Sequence, residues 1–113
     1  MMEIDYQTKI RQVQDEQDRI RQEIRSVEEQ QEDFHYLQQE EQRLYNEIIE
    51  TSSPEDRQYF KDKGEDSFSL AKKAQQQLEE QEDELKNTKK QLIDKEEELY
   101  IQQRKEQVKE KEQ

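Results

Sequence analysis

The segment TSSPEDRQYFKDKGED (residues 51–66) holds the chain's only proline, Pro54, and its only glycine, Gly64, between two long runs of helix-favouring residues. Ser53 followed by Pro54, Glu55 and Asp56 reads as a helix start: a hydroxyl cap, a ring already set to the helical φ, and two acids against the positive end of the dipole. Tyr59 and Phe60 are the apolar content of a short helical piece over about 54–63. Gly64 then ends that piece as a left-handed cap, with Asp66 or Ser67 capping the next helix. The alternative is a helix that runs straight through, at a cost of about 1 kcal/mol for an interior glycine relative to alanine. The reading favours the break and takes residues 51–66 as the turn region.

Outward from this segment, the second arm extends over about 67–110. Ala71, Leu78, Leu85, Leu92 and Leu99 repeat every seven residues, while the position three residues later reads Ala74, Gln81, Thr88, Lys95 and Gln102. That is half of a hydrophobic seam, widened near the end by Ile93, Tyr100, Ile101 and Val108. The first arm reads as helix from about residue 3 to 50, with Ile4 and Tyr6 at its start. Its heptad places Ile10 and Ile24 at position a with Gln17 and Gln31, and Val13, Ile20, Val27 and Phe34 at position d. Past Phe34 the apolar stripe continues as Leu37, Glu41, Leu44 and Ile48, a changed register equivalent to a three-residue insertion.

Folding the arms about 51–66 pairs residues whose numbers sum to roughly 115. Leu37 then meets Leu78, Ile24 approaches Leu92 and Val13 approaches Ile101. The apolar positions match along most of the length, so the expected fold is all-α, one long antiparallel, coiled-coil-like helical hairpin over residues 1–113. The expected seam or partner interface consists of Ile10, Val13, Ile20, Ile24, Val27, Phe34, Leu37, Leu44, Ile48, Tyr59, Phe60, Phe68, Leu78, Leu85, Leu92, Leu99, Tyr100 and Ile101. Around the turn, Phe34, Tyr36, Tyr45, Tyr59, Phe60 and Phe68 read as a small local core, a docking surface, or both.

Composition narrows the function. Only 27% of the 113 residues are hydrophobic and 44% are charged, against roughly half apolar in an average globular chain. A compact multilayer core is therefore excluded, and the few apolar residues recur at helical spacing. The net charge of −12 argues against nucleic acid, whose phosphates require clustered Lys and Arg. The acidity is uneven: residues 1–50 hold 14 acidic and 6 basic side chains, residues 71–113 hold 12 and 10. Without cysteine there is no disulfide framework or thiolate metal site. No run of about 18 apolar residues spans a membrane and no apolar signal core opens the chain, so a cytoplasmic protein without membrane insertion is expected.

No catalytic set converges. His35 is the only histidine and reads as an exposed helical residue. Acidic runs such as Glu96-Glu97-Glu98 diverge on a straight helix, whereas a calcium site needs oxygens converging from a loop. A leucine-zipper transcription factor needs a basic helix upstream, and Gly64, Glu65 and Asp66 stand there instead. Neither an enzyme nor a cofactor is expected.

The glutamine-rich first helix, the stretch Glu32-Asp33-Phe34-His35-Tyr36-Leu37, the short break, and Asp94-Lys95-Glu96-Glu97-Glu98-Leu99-Tyr100 with Gln103-Arg104 together resemble a known family. It comprises small α-helical proteins associated with LXG-domain toxins of Gram-positive type VII secretion systems. The resemblance covers nearly the whole chain and implies a targeting or chaperone-like role: binding the helical LXG region before export, beside a second small helical protein. It also implies a shape like that of WXG-type hairpins, and leaves open two fates, staying in the cytoplasm or being secreted together with the partner. This chain departs from the wider WXG pattern, having no Trp-x-Gly at the turn and Arg104 four residues after Tyr100, where that pattern has an acid. The rival reading is a self-associating coiled coil, a homodimer or four-helix bundle acting as scaffold. On either reading a two-helix hairpin with so thin a seam is marginal alone and gains stability when a second protein covers it.

Overall fold

The computed structural model describes residues 5–112. The protein is all-α, a hairpin of two helices, α1 (Tyr6–Thr51) and α2 (Pro54–Glu112). The expected start of the first helix near residue 3, and Ile4, lie outside the described residues. Asp5 caps α1: its carboxylate accepts the Thr8 backbone N–H at 3.1 Å and the Thr8 hydroxyl, satisfying one of the donors that a helix start leaves free.

The turn is much shorter than the segment 51–66, because only Ser52 and Ser53 lie outside the helices. Three hydroxyls and one arginine complete it. Thr51 Oγ1 donates to the Glu47 carbonyl at 2.9 Å, a bond back along its own helix, and Ser52 Oγ donates to the carbonyl of Ile48, one of the last four acceptors of α1. Arg57 Nε donates to the Ser52 carbonyl at 3.3 Å. The Ser53 carbonyl accepts the N–H groups of Asp56 and Arg57, at 3.0 and 3.1 Å. The start of α2 is as expected, with Pro54 first and Glu55 and Asp56 in the first turn. The Ser53 hydroxyl, however, bonds the Asp56 carboxylate at 3.1 Å.

Gly64 does not end a helix. It has no positive φ and sits inside α2, so the separate piece at 54–63 and the break at 63–66 are not formed. The glycine penalty is a single cost of about 1 kcal/mol within a helix whose other residues mostly favour that state. The Tyr45 side chain lies against Gly64: a Cβ added there would stand 3.5 Å from Tyr45 Cγ. Ser67, which was expected as a possible cap, instead donates its hydroxyl to Glu41 on α1.

The turn at Ser52–Ser53 lies nearer the first arm than the middle of 51–66, and the register differs from the expected one by about six residues. Around the turn and at Gln17 the closest pairs sum to about 109, not 115: Gln17 reaches the Leu92 carbonyl, Tyr45 touches Gly64, and Glu41 meets Ser67 at 108, while the longer side-chain bonds Gln17–Glu96 and Gln14–Tyr100 sum to 113 and 114. The pairs Leu37–Leu78, Ile24–Leu92 and Val13–Ile101 are accordingly replaced. Leu37 shares a groove with Leu70 and Ala74, Val13 clusters with Leu92 and Leu99, and Ile101 is exposed.

The chain forms two compact units. One comprises the two ends, up to Arg25 and from Asp83 onward, and holds a core of Ile10, Val13, Leu92 and Leu99 with Tyr6 and Ile20 packed against it. Gln17, at 6% exposure, occupies an a position in this core, where its amide donates to the Leu92 carbonyl and to Glu96, both at 3.2 Å. A buried amide with partners costs little, whereas one without them costs more than 1 kcal/mol. The other unit, Ser26–Glu82, contains the turn and is described below.

Candidate partner-binding face

In the turn unit the α1 heptad continues without the expected three-residue shift. Its a positions Gln38 and Tyr45 are partly buried, while the d positions Glu41 and Ile48 are exposed and Ile49, one residue on, turns inward in place of Ile48. Facing them on α2 are small residues, Gly64, Ser67, Ala71 and Ala74, all partly buried. Large side chains on one helix thus meet small ones on the other. Little apolar area is enclosed, and Val27 is the unit's buried hydrophobic side chain among the described residues.

The leucines sit beside this seam. Leu37 and Leu44 occupy the g position of the unbroken heptad and are 63% and 50% exposed. Leu70, one residue before the inward Ala71, is 67% exposed. Phe34, Leu37, Leu70, Ala71 and Ala74 line one open groove between the helices, with Gln38, Glu41 and Ser67 along its floor and edge. Ile48, exposed as well, extends the same side towards the turn. The opposite groove is lined by Tyr45, Ile49, Gly64 and Phe68 together with Gln42, Asn46, Lys61 and Glu65. The amide nitrogen of Gln31, at an a position, is buried without a hydrogen-bond partner.

The eighteen expected seam residues therefore divide three ways. Ile10, Val13, Ile24, Val27, Leu92 and Leu99 are buried. Ile20, Phe34, Phe60, Leu78 and Leu85 are partly buried. Leu37, Leu44, Ile48, Tyr59, Phe68, Tyr100 and Ile101 are exposed. The local aromatic core does not close: Tyr36, Tyr59 and Phe68 stand in solvent, and Tyr59 meets Phe60 edge-on at 5.4 Å and Lys63 at 5.6 Å.

The second seam position on α2 also differs from expectation. Gln81, Thr88, Lys95 and Gln102 are exposed, and the partly buried companions of the leucines are Glu82, Lys89, Glu96 and Gln103, four residues after each leucine. Long Lys and Glu side chains fill such positions by laying their methylenes along the seam while the charge reaches water. Sequence reasoning missed Leu70, which stands one residue ahead of the Ala71 heptad. Its signal was its spacing of seven from Lys63 and Gln77, which are both polar and so hid it.

Among the described residues no group of three or more His, Asp or Glu could hold a metal ion, and no helix is long and apolar enough to cross a membrane. His35 Nε2 lies 3.1 Å from the Gln39 amide on an exposed face. Arg43 bridges Glu40 and Glu47 at 2.9 Å each, and those two carboxylates raise its pKa further.

No curated protein and no solved structure matches the chain. A protein family does, described as "Protein of unknown function (DUF3958)", and the match runs over residues 2–106 of the 113, so the chain belongs to that family.

Proposed function

We propose that this protein is a non-enzymatic, chaperone-like targeting factor that binds the helical LXG region of a type VII-secreted toxin and supports its export. The observation behind the proposal is the turn unit, which keeps a seam of small and polar residues and leaves Leu37, Leu44, Ile48 and Leu70 uncovered. Apolar side chains arranged along one side of a helix pair are the receptor half of a helical interface. The resemblance of Glu32–Leu37 and Asp94–Arg104 to LXG-associated proteins names the other half. In this reading the chain acts in the cytoplasm, beside a second small helical protein.

Co-expression with the LXG region of a toxin encoded beside it tests the proposal. The two chains should co-elute as one complex in size-exclusion chromatography, and separate elution contradicts the proposal. A stable homodimer at low micromolar concentration that ignores the LXG chain supports the scaffold reading instead.

A further inference from the structure

We propose that the groove edged by Leu37 and Leu70 seats one amphipathic helix of the partner, whose apolar side is flanked by lysine and arginine. This rests on the targeting reading above and adds the face and the chemistry of its occupant. The first ground is geometric. Leu37, Leu44 and Ile48 run along α1 over eleven residues, about 16 Å at the helical rise. Leu70 rims the facing helix, and small Ala71 and Ala74 leave the floor open. The occupant is thus a helix of about three turns presenting side chains at i, i+3 or i+4, and i+7.

The second ground is charge. Ser26–Glu82 carries 16 acidic and 6 basic side chains, a net −10 of the chain's −12. On α1 the row next to the leucines is Asp33, Glu40 and Glu47, and Glu41 lies within the groove. A second copy laid face to face would set −10 against −10, and like charges brought together at an interface are unfavourable. A helix with Lys and Arg beside its apolar anchors removes that repulsion and lays its own methylenes over the leucines. The opposite groove is lined by Tyr45, Ile49 and Phe68 with Lys61 beside Glu65, and so offers neither a leucine row nor an uncompensated row of acids.

The test is co-expression of the LXG region with three forms of the full chain: wild type, Leu37→Glu/Leu70→Glu, and Ile101→Glu/Val108→Glu. All four positions are exposed, so far-UV circular dichroism should match across the set. The expected result is a wild-type complex, at least tenfold weaker binding for the Leu37/Leu70 form, and wild-type affinity for the Ile101/Val108 form. Wild-type affinity should also fall as salt rises from 50 to 200 mM, as screening of opposite charges requires.

Absence of a wild-type complex refutes the targeting reading itself. A wild-type complex that the Leu37/Leu70 form retains refutes only this groove, and a salt-independent complex refutes the basic flanks. A wild-type dimer that the Leu37/Leu70 form dissolves assigns the face to a second copy and overturns the proposal. Hydrogen exchange on the wild-type pair reads the same face without substitution: slowing over 34–48 and 67–74 is expected, and slowing only elsewhere overturns it.

Discussion

Replacing Gly64 with alanine should stabilise this protein. Gly64 lies inside α2 with a negative φ, so alanine needs no change of backbone. The new Cβ would meet Tyr45 Cγ, Cδ1 and Cβ at 3.5, 3.6 and 3.8 Å, ordinary contact distances with no overlap. Interior glycine is disfavoured relative to alanine by about 0.8–1.0 kcal/mol. Part of this gain arises in the unfolded chain, which alanine makes less flexible. The methyl contact with Tyr45 adds a few tenths, given about 0.8 kcal/mol for a fully buried CH₂. A total near 1 kcal/mol should raise the midpoint of thermal unfolding by about 4–8 °C for a domain of roughly this size, measured by circular dichroism at 222 nm. A left-handed Gly64 ending a short helix makes the opposite prediction, because alanine in that conformation costs about 1–2 kcal/mol. A midpoint that falls on substitution refutes the continuous α2, and with it the short turn and the register that follows from it.

Truncating Leu99, buried in the terminal core, to alanine should cost about 2–3 kcal/mol, the lower part of the range for buried leucine. Leu37→Ala, on the open face, should change stability by less than about 0.5 kcal/mol, and chemical denaturation of the two variants separates core from docking face. Asp5 should titrate below its ordinary value of 3.8, because the Thr8 hydroxyl and N–H groups hold it ionised. Its capping contribution is then complete above the unfolded carboxyl value and fades as pH falls through the lower folded one. An NMR titration midpoint for Asp5 at or above 3.8 contradicts the cap.

The helices themselves were legible because Glu, Gln, Lys, Arg and Leu favour that state, and Ile10 and Val13 of the first heptad are buried in the terminal unit. What misled was the assumption that every apolar stripe is an internal seam. Periodicity identifies side chains that gain from burial, and it does not say which chain buries them. Past Phe34 the internal seam passes to Gln38 and Tyr45 against Gly64, Ser67 and Ala71, residues too polar or too small to register as a stripe. Leu37 and Leu44 attracted the reading because they were the apolar residues at hand. Gly64 misled for a different reason: a lone glycine gives the same signal whether it caps a helix or lets an aromatic ring lie against the backbone. The six-residue register error came from that single misreading, and so did the pairing of Leu37 with Leu78.

Those leucines can meet a partner only if the hairpin itself does not enclose them, and a designed disulfide decides this. A Cβ at position 64 stands 3.8 Å from that of Tyr45, the usual separation across a disulfide. In the cysteine-free wild-type background, the double variant Tyr45→Cys/Gly64→Cys should oxidise within single chains and run faster on non-reducing gels. Leu37→Cys/Leu78→Cys, treated in parallel, should remain reduced within the monomer. Efficient closure of the second pair with failure of the first would place Leu37 inside the seam and contradict the account.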